Sequence, residues 1–364
     1  MKHRILCLIL PLCLLLTGCG SWMDGSYHSV TPHSVTHAEQ NTDTLSASSN
    51  SELYQVLCAL VENGTAKAVI HVSEFPQDRL ERSLGSCVSN LTNSFPIGAY
   101  AVDSVDCDLG VGSGGQPVVS VTINYLHDRS EIRRIQKVDD TEATQLAIEK
   151  AMNEYADSVV LLVERYAPMD VQQFADDYGM LHPELVIETP KVTALTYPEA
   201  GYSRVLEIKF SYQTSRDTLR QMCSQVTPVF SSAKLYISSE DADYQKYSQL
   251  CAFLMERFDY RLETSITPAY SLLRHGVGDS RAFATVYASM CAKVGIPCQI
   301  VSGTMDGTSR FWNIICEDGY FYHVDIMRCI EEDDFLELTD LDMENYVWNY
   351  TAYPECKGNP ENPR

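Results

Sequence analysis

Two stretches of the chain read alike at an offset of 87 residues, and this repetition restricts the possible folds more than any other feature. In the first, Val119, Val121, Ile123 and Tyr125 alternate with Ser120, Thr122 and Asn124, the two-residue period of a half-buried strand, and the chain runs on through Arg129, Ile132 and Arg133. In the second, Leu206, Ile208, Phe210 and Tyr212 alternate with Val205, Glu207, Lys209 and Ser211, and Arg216, Leu219 and Arg220 follow. Tyr125 and Tyr212, Arg129 and Arg216, Ile132 and Leu219, and Arg133 and Arg220 all share the offset. Upstream of each stretch lie a predicted helix (52–62; 141–155), a short apolar strand (68–72; 158–164) and a second helix (77–93; 170–178). Two copies are too few to stack a solenoid core. The pattern predicts an α+β chain with two tandem α-β-α-β-β modules, 51–138 and 139–230.

A third part, 231–356, opens with a predicted strand over 233–237 and a helix over 243–258, and a short tail follows at 357–364. Within it, Phe283, Tyr287, Met290 and Val294 form one helical stripe, which Gly295 ends and Pro297 keeps from resuming. Strands are predicted over 298–302, 311–315 and 320–326. Asp306-Gly307 and Asp318-Gly319 between them are hairpin signals.

Several motifs in this last part occur in order: Ala269-Tyr270-Ser271-Leu272-Leu273, Gly276-x-Gly278, Phe283-Ala284, Ala292-x-x-Gly295-Ile296-Pro297-Cys298, Val301-Ser302-Gly303, Trp312-Asn313-Ile314, Tyr322-His323-Val324-Asp325 and Tyr353-Pro354-x-Cys356. Together they resemble the transglutaminase-like domain. That resemblance implies a papain-type fold in which a cysteine starts a helix and a histidine and an aspartate come from following strands. In such relatives an apolar residue and the nucleophilic cysteine follow the second glycine; here Asp279 and Ser280 stand there. His-Ala precedes the Trp-Asn pair in the family, and here Arg310-Phe311 does. Only Asp325 matches the third position.

The chemistry explains why these departures matter. A thiol becomes a thiolate beside a helix N-terminus and an imidazolium, whereas a serine hydroxyl must hand its proton to a positioned base. A guanidinium offers donors only. Losing nucleophile and base together removes about six orders of magnitude in rate in enzymes of this kind. The expected outcome is a degenerate triad at Ser280, Arg310 and Asp325, with Asp279 or Ser280 capping the helix and Arg310 paired to Asp325. Asp279, Ser280, Arg310, Trp312 and His323 are then candidate contacts for a bound peptide, cell-wall fragment or protein. The alternative is a hydrolase or acyl transferase using Ser280 with a non-standard base such as His275 or His323.

The start of the chain carries its own instruction. Lys2 and Arg4 precede a mostly apolar run over 5–16, too short to span a bilayer, and Leu16-Thr17-Gly18-Cys19 resembles the lipobox of bacterial lipoprotein signals. The resemblance implies a signal over 1–19, a lipid on Cys19 and a protein held on the extracytoplasmic side of a membrane. Residues 20–50, rich in Ser, Thr, His and Gly, read as a flexible linker. A formal charge of −22 argues against nucleic acid as a partner. None of the 13 cysteines stands in a CxxC pair or a zinc-spaced cluster, so no metal or cofactor is expected and no disulfide pairing is assigned.

Overall fold

The structure, a computed structural model, describes residues 45–262 and 267–361. The signal, Cys19, residues 20–44 of the predicted linker and residues 362–364 of the tail lie outside the described residues. The last linker residues belong to the fold. Ala47 N–H donates to His71 O at 2.9 Å and His71 N–H to Leu45 O at 2.8 Å, which adds a parallel bridge to the first strand.

The first module runs α1 (Asn50–Glu62), β1 (Lys67–His71), α2 (Gln77–Asn93), α3 (Pro96–Ala101), β2 (Val102–Val111) and β3 (Pro117–Tyr125), with sheet order β1-β3-β2. Ser49 starts α1 by accepting Glu52 N–H, while the Glu52 carboxylate accepts Ser48 N–H at 2.8 Å. Next come α4 (Arg129–Arg133), β4 (Gln136–Val138), α5 (Thr141–Asn153), β5 (Ser158–Val163), α6 (Val171–Leu181), β6 (Lys191–Tyr197) and β7 (Arg204–Ser211). Their sheet order is β4-β5-β7-β6, so the strands of the repeat occupy equivalent places in both sheets. The extra strand β4 pairs parallel with β5 and so crosses the boundary read at 138/139.

The unbroken apolar run of β5 follows from burial on both faces. Val159, Leu161 and Val163 pack with Ile148, Met152 and Ala175 of the overlying helices, whereas Val160 and Leu162 pack with Val205 into the core of the first module. A strand covered on both sides loses the polar half of its alternation.

The strand predicted over 233–237 is instead the last two residues of a helix, α7 (Arg216–Lys234), and the turn that follows it. Ser215 caps it, and Leu219, Val226, Phe230 and Ala233 form one buried stripe that carries the helical period into the start of the short apolar run. The stripe enters a core shared by Tyr155 and Ile187 of the second module and by the C-terminal part. That part continues with α8 (Asp243–Arg257), β8 (Asp259–Tyr260), α9 (Pro268–His275), β9 (Val277–Gly278), α10 (Ser280–Lys293), β10 (Cys298–Met305), β11 (Thr308–Glu317), β12 (Tyr320–Val324), α11 (Ile326–Glu332) and β13 (Tyr346–Trp348). The antiparallel sheet β12-β11-β10-β13 lies against α10. Both Asp-Gly turns form as read, with positive φ at Asp306 (49°) and Gly307 (78°) and at Asp318 (50°) and Gly319 (85°). No helix of the described residues is long and apolar enough to cross a membrane.

Candidate functional site

Helix α10 begins where the resemblance places the nucleophile. Asp279 is its N-cap, with extended backbone and a carboxylate oxygen accepting Ala282 N–H at 2.9 Å. Ser280 is therefore the first helical residue rather than the cap, and it is only 8% exposed. Its Oγ accepts the N–H of Phe311 on β11 at 3.2 Å. The hydroxyl thus ties the helix to the sheet. Among the described residues no histidine nitrogen lies within hydrogen-bonding distance of it.

Opposite Ser280, Arg310 and Asp325 form an ion pair. Arg310 Nε donates to Asp325 Oδ2 at 2.8 Å, and the Asp325 side chain is fully buried. Two further donors complete the carboxylate: Tyr346 Oη reaches Oδ2 at 2.6 Å and Met327 N–H reaches Oδ1 at 3.0 Å. The last bond makes Asp325 the N-cap of α11, so the strand predicted over 320–326 ends at Val324. Burial pulls the pKa of Arg310 down, but the charge and hydrogen bond of Asp325 outweigh it and leave the guanidinium above its ordinary value. Burial, reinforced by the Asp325 charge, pushes the Tyr346 phenol up, so it stays a donor. Arg310 Nη2 is buried without a hydrogen bond. In this arrangement both Asp325 oxygens already accept hydrogen bonds, from Arg310, Tyr346 and the Met327 N–H.

Trp312 of β11 and His323 of β12 are both fully buried. Trp312 Nε1 donates to His323 Nδ1 at 3.0 Å, and since an indole N–H only donates, Nδ1 carries no proton. The neutral ring therefore has its proton on Nε2, 3.0 Å from Asp340 Oδ1. Burial lowers the pKa of His323 despite the opposing effect of Asp340, which favours that neutral ring. His323 stands two residues before Asp325, but Asp325 lies beyond the strand and the two take different partners.

His323, Asp340 and Cys356 bring ligand atoms within 4.8 Å of one another. They are poorly set to hold a metal, because Nε2 bears the ring proton and burial pushes the Cys356 thiol up to about 12. The other candidate base, His275, ends α9 and packs edge-on to Tyr270 at 5.9 Å between ring centroids. Beside Ser280 a gap lined by Phe283, Ala284, Phe311, Trp312 and Asn313 is too tight to admit a water molecule. That is too small for a peptide side chain of ordinary size to enter with its backbone. Sequence reasoning missed Tyr346, which no local pattern links to Asp325; only the pairing of β13 with β10 brings them together.

Residues 232–359 match the family described as the transglutaminase-like superfamily. Among solved structures, the chain is similar to a TGase at 9% identity, over 56% of this chain and 70% of that one, with a TM-score of 0.26. A provisionally assigned cysteine protease from Cytophaga hutchinsonii matches at 12% identity over 43% of this chain and 70% of its own, with a TM-score of 0.25. No curated protein matches. The family match makes residues 232–359 of this chain, which hold α9, α10 and the C-terminal sheet, a transglutaminase-like domain.

Proposed function

We propose that this is a surface lipoprotein, anchored through Cys19 on the extracytoplasmic side of a membrane, whose transglutaminase-like domain binds or scaffolds without catalysis. The observation that carries the second half is the Arg310–Asp325 ion pair at 2.8 Å in the place of a base and its orienting carboxylate. Ser280 Oγ accepts a hydrogen bond there and has no base to receive its proton. Because Asp325 neutralises Arg310 and the space beside Ser280 is small, a peptide, wall or protein ligand is held on another surface of the fold. The lipid on Cys19 rests on the signal sequence alone.

A fluorophosphonate probe tests the silent site. The folded chain is expected to stay unlabelled beside a labelled serine hydrolase control, and labelling lost on Ser280→Ala would overturn the reading. An alkyne fatty acid supplied to bacterial cells expressing the chain tests the anchor. Incorporation that disappears in Cys19→Ser is expected, and a secreted unlabelled chain would refute it.

A further inference from the structure

We propose that a cavity between the second module and α10 binds a small zwitterionic carboxylate of amino-acid to dipeptide size. Helix α10 has two working flanks. Ser280, Phe283 and Ala284 border the space at the degenerate triad, while Arg281, Thr285, Ser289 and Lys293, spaced by four, form a separate ridge. At its far end the ridge is sealed by Glu184 of the second module, which accepts from Ser289 Oγ at 3.1 Å and pairs with Lys293 Nζ at 2.6 Å. At the near end it opens into a cavity of about 390 Å³, a size suited to a small ligand. Asp176, Gly179 and Met180 of α6 form the facing wall.

Three lining side chains define the ligand. Thr285 is 6% exposed, lines the cavity and makes no hydrogen bond with any described residue. A hydroxyl so placed is available to a guest. Arg281 stands exposed at the cavity's mouth with no ion-pair partner among the described residues, its guanidinium over the Phe311 ring at 5.6 Å from the centroid. Asp176 is held only by Gln172 Nε2 at 3.0 Å and is not ion-paired with Arg281. Opposite charges kept apart in one cavity match a molecule that carries both. Its carboxylate meets Arg281 and the Thr285 hydroxyl, and its ammonium meets Asp176. In a chain of net charge −22, an unpaired guanidinium at a cavity's mouth is the less expected charge and the one that draws an acid in. The inference does not depend on whether Ser280 is inert.

Titration calorimetry on the purified chain tests it with L-alanine, glycyl-L-alanine, glycyl-L-alaninamide and N-acetylglycyl-L-alanine as probes. At least one free zwitterion is expected to bind, with affinity lowered about tenfold or more when either end of the dipeptide is blocked. Arg281→Gln and Thr285→Val are each expected to weaken binding by about tenfold while the unfolding midpoint stays within a few degrees. No binding heat with any probe at about 10 mM would overturn the inference. So would equal affinity for free and blocked dipeptides, a comparison made on the unaltered chain and independent of how the variants fold.

Discussion

Arg310 Nε lies 2.8 Å from Asp325 Oδ2, and the carboxylate it meets is closed to solvent. The pair stands in a low-dielectric setting where each charge depends on the other. Replacing Arg310 by Met leaves Asp325 with only neutral donors, Tyr346 Oη and Met327 N–H. The expected loss is about 3–5 kcal/mol of unfolding free energy by urea denaturation, the range for breaking a buried pair. Adding Asp325→Leu is expected to recover part of it. A single variant as stable as the parent would refute the dependence.

The proposal that this site is catalytically silent is tested by reversing both substitutions. In Ser280→Cys with Arg310→His, an imidazole enters beside a thiol at the start of α10, where helix and ring favour the thiolate. Alkylation by iodoacetamide is expected to speed up over the Ser280→Cys single variant and to persist below the ordinary thiol value of about 8.5. Equal rates in the two variants would show that the backbone no longer supports the dyad.

Glu184 joins the second module to α10 and gives a pH signature. Burial pushes its carboxyl up, but hydrogen bonds from His182 and Lys293 and the Lys293 charge outweigh burial and hold it below its ordinary value. A depressed folded value contributes stability in full above the unfolded value of about 4.3 and loses it as pH falls through the folded one. Glu184→Gln is therefore expected to destabilise the chain at neutral pH, with the difference from the parent closing in the acid limb. Melting curves from about pH 7 to pH 3 read it. A gap independent of pH would assign the effect to packing.

Gly303 sets how closely β13 approaches the sheet. A methyl group there would meet Val347 O and come within 2.8 Å of Trp312 Cη2. Gly303→Ala is expected to cost about 1–3 kcal/mol, the range for overpacking a core, and to weaken hydrogen-exchange protection across β10 and β13. Unchanged protection would mean that Trp312 has room to shift.

The legibility of these features follows the reach of the physics behind them. Alternation, capping and Asp-Gly turns act within a few residues, so α2, both hairpin turns and the start of α10 were readable from the sequence. The apolar residues over 233–237 misled because a five-residue window has too few turns to separate a helix end from a strand. The Arg310–Asp325 contact was foreseeable because the resemblance puts both residues at neighbouring positions of one triad, although Asp325 caps α11 instead of ending a strand. Tyr346 and the Trp312–His323–Asp340 chain were not, since each depends on segments that meet only after the sheet closes. The Glu184 contact with α10 spans 105 residues and left no periodic trace.

The double covering of β5 bears on how the protein can be dissected. A fragment beginning at residue 139 would leave Val160, Leu162 and Val205 without the first module and present them as a bare apolar wall in water. Such a surface drives self-association. A soluble truncation must therefore retain the amino-terminal repeat or replace those three side chains, and precipitation of the shorter piece would say nothing about the transglutaminase-like domain itself.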